Sequence, residues 1–175
     1  MDILEFIRSA HALQKRKFTN IPYTVHLEET ADLLWKSTSG NLPEYVYVAA
    51  FLHDVCEDTE IKIDEIRTKF GDDVASLVSE LSSDKELQNK IGKTEYLTNK
   101  INNMSEYAFS IKLCDRFSNV HGLLDTRIPH SFVIKYIKET QNILRNITRK
   151  ITEEQLYIIN RIKSSIILIK LTRNL

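Results

Sequence analysis

The sequence predicts an all-α fold, and three observations carry that prediction. Turn formers are scarce, with four glycines and three prolines in 175 residues. Apolar residues recur at i, i+3 and i+4 along most of the chain instead of alternating. Capping residues, glycines and prolines stand where that spacing stops. With 42% hydrophobic residues at this length, one compact domain over 1–175 with its own core is expected.

Ile3, Phe6, Ile7, Ala10 and Leu13 form the buried stripe of a first helix. A turn-rich loop over residues 18–23 follows, closed by Pro22. A second helix is expected over about 26–37, ended by Ser39, Gly40 and Asn41. Pro43 suits the first turn of a third helix, running through Tyr45, Val48, Ala49 and Leu52 to about Asp54. Ile63, Ile66 and Phe70 mark a short helix stopped by Gly71, and Val74, Leu77, Val78 and Leu81 mark the next. The polar stretch 82–103, with Asp84, Lys85, Lys90 and Lys93, reads as a mobile arm or loop. Ala108, Ile111 and Leu113 open a helix to about Leu124, and another spans about 131–148. The last helix, about 152–172, has a capping box in Thr152 and Gln155, with Ile151 placed as a hydrophobic staple. Its isoleucines would suit a strand, but a strand without a partner is the weaker reading. The total is about 8–10 helices, with the last packed on the others.

Lys+Arg and Asp+Glu both number 24, so the net charge is zero. That balance argues against stable nucleic-acid binding, which favours a strong basic excess. Two cysteines, Cys56 and Cys114, lie in apolar helical patterns and do not suggest a disulfide framework. The N-terminus lacks the pattern of a signal peptide, and the apolar run 166–171 is too short to span a bilayer. A cytoplasmic protein without a membrane partner is expected, and a homo-oligomer is compatible with the sequence.

Chemistry concentrates in Leu52-His53-Asp54-Val55-Cys56-Glu57-Asp58-Thr59. Three carboxylates crowd the expected C-terminal turn of a helix, where the macrodipole favours cations. A bound divalent cation reverses that penalty, and His53 and Asp54 are suitable ligands. Glu57 and Asp58, each four residues further on, are candidates to orient water and move protons. The bland alternative is a solvated acidic helix end, but the apolar run 49–52 just before it reads as buried. His26 and Asp115 are further ligand candidates. Alone, His26 reads as a cap or packed side chain, and Asp115 as an ion pair with Lys112 or Arg116. His11 and His130 suggest only surface or packing roles.

His26, His53-Asp54 and Asp115 reproduce the H…HD…D pattern of the HD superfamily. Four blocks resemble, more narrowly, the hydrolase domain of the RelA/SpoT family and its small Mesh1-like alarmone hydrolases. They are Ala10-His11-x-x-Gln14-x-Arg16-Lys17, Pro22-Tyr23-x-x-His26, Leu52-His53-Asp54-x-x-Glu57-Asp58-Thr59 and Lys112-Leu113-x-Asp115-Arg116-x-x-Asn119. The resemblance covers about 5–145. It implies a manganese-dependent enzyme of the stringent response that removes the 3′-pyrophosphate of ppGpp and pppGpp. By the same resemblance His26, His53, Asp54 and Asp115 hold the metal, and Glu57 and Asp58 position and activate water. Arg16 would lie against the guanine, Lys17 would meet phosphate, and Asn119 would sit near sugar and base.

Three departures touch the nucleotide side. Leu27 replaces a common proline, His121 with Gly122 stands where the family commonly has an arginine, and residues 18–21 lack its usual glycine. Lys93, Arg127, Tyr136 and Lys138 are further candidates for a phosphate pocket, and equally for surface roles. Two other functions fit the sequence. One is an HD phosphohydrolase acting on ppApp, NADPH, a nucleoside monophosphate or pyrophosphorylated tRNA, the last making it an antitoxin. The other is a non-catalytic nucleotide-sensing module.

Overall fold

The computed structural model describes residues 2–175. Among them are eleven helical segments, nine of eight residues or more. The extended pairing among the described residues is one bridge between Lys15 and Pro22.

Helix α1 (Ile3–Ala10) starts where Asp2 accepts a 3.0 Å bond from the Leu4 N–H, satisfying an orphan donor of the first turn. It buries Phe6 and Ile7, but ends before Leu13, which is 96% exposed and not part of the core stripe. The chain turns back at once, with the Gln14 N–H on the His11 carbonyl. Residues 14–23 then close on themselves: Arg16 N–H bonds the Ile21 carbonyl at 2.9 Å, and Tyr23 N–H bonds the Gln14 carbonyl at 3.0 Å. Phe18 adopts the left-handed region in this loop with φ +67°, at a cost of about 1–2 kcal/mol.

α2 (Thr24–Thr38) ends on Ser39 and Gly40, both left-handed. Gly40 is needed there twice over, because a Cβ would also meet the Trp35 ring at 2.7 Å. α3 (Glu44–Leu52) does not run on to Asp54 as the spacing predicts. The His53 Nδ1–H donates at 2.8 Å to the Ala50 carbonyl, which a continuing helix would offer to the Asp54 N–H. Asp54 sits at φ −107°, ψ −3°, and α4 (Val55–Asp58) restarts as a single turn.

α5 (Ile63–Phe70) and α6 (Asp72–Leu81) meet at Gly71, with φ +90°. The expected loop over 82–103 is instead two helices, α7 (Lys85–Ile91) and α8 (Lys93–Asn103). Asp84 caps the first by accepting from Leu87 N–H, while α8 buries Tyr96, Leu97 and Ile101. α9 (Glu106–Gly122) is the central element, twelve of its seventeen residues buried. It packs against α2, α6, α10 (His130–Arg145) and α11 (Glu153–Arg173). Phe109 on it is fully buried, and its truncation to Ala would cost about 3–5 kcal/mol. The capping box of α11 is present, with Thr152 and Gln155 each accepting from the other's backbone N–H. One hydrophobic cluster runs from Phe6 to Ile169. No helix of the described residues is long and apolar enough to cross a membrane, and both cysteines are free.

Candidate active site

α2, the α3–α4 break and α9 each bring ligand-type side chains to one buried point. His26, His53 and Asp115 offer atoms that all lie within 4.8 Å of one another. The imidazole Nε2 atoms of His26 and His53 are 3.2 Å apart. Asp54 Oδ2 lies 3.4 Å from His26 Nε2 and 3.1 Å from His53 Nε2. Asp115 Oδ1 lies 3.4 Å and 3.9 Å from the same two nitrogens. Ligands bonded at about 2.1 Å to a shared ion stand roughly 3.0–3.5 Å apart, so these spacings fit a divalent cation.

Hydrogen bonding around the cluster orients each ligand. Ser118 Oγ donates to Glu29 Oε2 at 2.6 Å, so it accepts from the His26 Nδ1–H at 2.8 Å. His53 Nδ1–H is committed to Ala50. Both imidazoles therefore turn an unprotonated Nε2 inward when neutral, and two facing lone pairs demand something positive between them. Burial opposes an imidazolium here, but Asp115 and Asp54 outweigh it and raise His26 to about 9. The same electrostatic demand is what a metal ion would meet.

The carboxylates are held as firmly. Tyr23 donates its hydroxyl to Asp54 Oδ2 at 2.6 Å. Lys112, buried in α9, holds Asp115 Oδ2 at 2.8 Å and leaves Oδ1 for the cluster. Burial pushes Asp115 up, yet Lys112 and His26 hold it well below the usual carboxylate range. Asp115 thus has both its ion pair and its place in the cluster, while Arg116 pairs with Glu139 at 3.0 Å instead.

Glu57 and Asp58 lie on α4, not on the last turn of a longer helix. Glu57 Oε2 accepts from Ser83 N–H at 3.0 Å, and Asp58 Oδ2 accepts from the Gln14 side-chain amide at 2.9 Å.

Beside the cluster, along the face of α9 that carries Asp115, Asn119 and Gly122, two hollows share Lys17, Phe132 and Tyr136, one of about 140 Å³ and one of about 640 Å³. Arg16 and Asn119 line the smaller, and Lys93 and Lys135 the larger. Arg16 is mostly buried, and its N–H groups are engaged by Glu29, Ser118 and Asn119. Gly122 gives it room, since a Cβ there would stand 2.9 Å from the guanidinium. Asn119 also donates to Asp115 Oδ1 at 2.5 Å, linking the hollow to the cluster. Lys17 Nζ lies 5.1 Å from both the Phe18 and Phe132 ring centres. Arg127 is tied to Asp125, Lys138 lines neither hollow, and exposed His121 stacks on Phe117 away from both.

Tyr23, Ser118, Glu29 and Gln14 are the residues of this site that the sequence reading gave no role of their own, while Lys112 makes the expected ion pair with Asp115 and His11 takes the packing alternative by stacking on Tyr23. His11 in particular is buried and hydrogen-bonded to Gln14, not a surface residue. The one signal available was that His11, Gln14, Tyr23 and Lys112 fall inside the matching blocks.

The HD domain family profile matches residues 4–148. The guanosine-3′,5′-bis(diphosphate) 3′-pyrophosphohydrolase MESH1 of Drosophila melanogaster is 32% identical over 124 residues, covering 70% of this chain and 68% of that protein. The guanosine-3′,5′-bis(diphosphate) 3′-pyrophosphohydrolase of Aquifex aeolicus is 32% identical over 128 residues, 68% of this chain. This chain spans only 17% of the length of that relative. Among solved structures, a metazoan ortholog of SpoT that hydrolyses ppGpp superposes with a TM-score of 0.77 at 25% identity, over 98% of this chain and 93% of that one.

Proposed function

The chain belongs to the HD domain family, and from that premise we propose that it is a metal-dependent 3′-pyrophosphohydrolase of guanosine alarmones. It would convert ppGpp to GDP and pyrophosphate, the substrate and bond for which its relatives are named, and, as the resemblance implies, pppGpp to GTP and pyrophosphate. The observation that carries this reading is the juxtaposition of four oriented ligand-type side chains with cationic, aromatic-lined hollows beside them along α9. The larger hollow, of about 640 Å³, is of the size that takes a small ligand.

His26, His53, Asp54 and Asp115 would hold the ion, and manganese is the ion the resemblance favours. When bound, it would lower the pKa of a water and neutralise phosphate charge. Glu57 and Asp58 would take the proton from the attacking water. Water oxygen bonds the phosphorus next to the 3′-oxygen, the bond between them breaks, and the 3′-oxygen leaves with a proton. Lys17, Lys93 and Lys135 would meet the phosphates as point charges. The N–H groups of Arg16 are already engaged, so a base would meet the flat face of its guanidinium. We further read the protein as a single cytoplasmic domain serving the stringent response, with a small nucleotide as its partner.

Anion-exchange chromatography of ppGpp, pppGpp, ppApp and NADPH incubated with the manganese-loaded protein tests the reading. GDP and pyrophosphate from ppGpp are expected. Intact ppGpp beside a consumed alternative would move the protein to another HD substrate, and no turnover of any would favour a sensing module.

A further inference from the structure

We propose that Gln14 is a positioning residue for Asp58, its amide set in turn by His11 seated on Tyr23. This rests on the reading of Asp58 as an acid that handles the attacking water.

The assignment follows from donors and acceptors. A carboxylate only accepts, so the 2.9 Å contact with Asp58 Oδ2 turns the NH2 of Gln14 toward the acid. The Gln14 Oε1 must then face His11, whose Nδ1 lies 2.6 Å away and has to donate. That places a proton on His11 Nδ1. Its Nε2 is buried and has no hydrogen-bond partner. A buried nitrogen without a partner is unfavourable, so an apolar residue would serve packing alone better at this position. What histidine supplies, and an apolar side chain does not, is the Nδ1–H that orients the amide.

The relay has a firm base. The His11 ring stacks on Tyr23, with centroids 5.2 Å apart and planes 29° apart. Tyr23 is anchored by its hydroxyl to Asp54 and by its backbone N–H to the Gln14 carbonyl. One loop thus reaches two carboxylates of the same short segment, Asp54 through Tyr23 and Asp58 through Gln14. The distance from the water-handling acid to the ligand cluster is thereby set by a closed ring of contacts, not by the one-turn helix alone.

The test is steady-state hydrolysis of ppGpp by Gln14→Met and Gln14→Glu, alone and combined with Asp58→Asn. Gln14→Met removes the donor, and kcat should fall roughly tenfold or more with KM little changed, since a charge-assisted bond is lost. Gln14→Glu keeps length and the acceptor for His11 but sets an oxygen against Asp58, and kcat should fall at least as far. It also serves if the Met variant does not fold. In the Asp58→Asn background neither change should lower kcat further. Side-chain amide resonances of Gln14, assigned by their loss in Gln14→Met, should shift in Asp58→Asn protein even without substrate. Wild-type kcat in both Gln14 variants beside a crippled Asp58→Asn protein would overturn the positioning role and leave the acid's role standing. An unaffected Asp58→Asn protein would overturn the acid's role instead.

Discussion

Each side chain of the His26, His53, Asp54 and Asp115 cluster has a second partner that fixes it, whereas Lys17 and Lys93 of the neighbouring hollow are held by little more than an aromatic face. His26 has Ser118, His53 has the Ala50 carbonyl, Asp54 has Tyr23, and Asp115 has Lys112 and Asn119. Lys17 rests over Phe18 and Phe132, and Lys93 over Tyr136, with a 3.4 Å contact to Glu139. The difference separates two tasks. A metal centre needs its ligands placed to within a few tenths of an ångström before the ion arrives. A phosphate chain can be met by exposed ammonium groups that adjust on binding, at the cost of ordering them. On the proposed function, chemistry would be preorganised and substrate capture adaptable.

That contrast predicts a graded series of effects. Removing a ligand, as in His53→Ala or Asp115→Ala, should abolish metal binding and lower ppGpp turnover by about a thousandfold or more, because the metal's whole contribution is lost. Metal content and rate measured on the same sample decide it. Glu57→Ala and Asp58→Ala should lower kcat by roughly a hundredfold to ten-thousandfold with the metal still bound, the range typical of lost proton transfer. Unchanged rates in both would leave the acids without a chemical role. Ser118→Ala should weaken metal affinity by about tenfold to a hundredfold, with a much smaller effect on ppGpp affinity in metal-saturated protein, because Arg16 keeps Glu29, Asn119 and the Ser118 carbonyl. Competition with a chelator reads the first quantity and equilibrium binding the second. The smallest effect belongs to the hollow. Lys17→Ala should raise KM several-fold with kcat nearly unchanged, and added salt should shrink the difference between variant and wild type. If Lys17→Ala instead lost kcat as heavily as His53→Ala, the division between rigid centre and adaptable hollow would fail.

The same division governs how much the sequence disclosed. The ligand types, the H…HD…D spacing and the helical periodicity marked the elements and the residues that the structure brings together. What escaped were features set by contacts between distant segments. The stretch 82–103 looked like a loop because its polarity is high, yet three residues of α8 find the core and Tyr96 accepts the Asp84 N–H. Leu13 fitted the α1 stripe in spacing, but the chain turned away first. The third helix looked continuous through Asp54 because nothing local shows that the His53 ring will take the Ala50 carbonyl. Ser118 and His11 were silent for the same reason, since their value comes from His26 and Gln14 across the fold. Arg16, legible as a cation, is revealed only in three dimensions to have its donors engaged by Glu29, Ser118 and Asn119.

The central claim is that one divalent ion, held by His26, His53, Asp54 and Asp115, supports alarmone hydrolysis. Titrating metal-stripped protein with manganese, while following bound metal by mass spectrometry and pyrophosphate release from ppGpp, tests it directly. The account predicts that activity rises in step with occupancy and saturates at one ion per chain, and that His53→Ala protein shows neither. Full ppGpp hydrolysis by the stripped protein, or one tightly bound ion retained in His53→Ala protein, would contradict it.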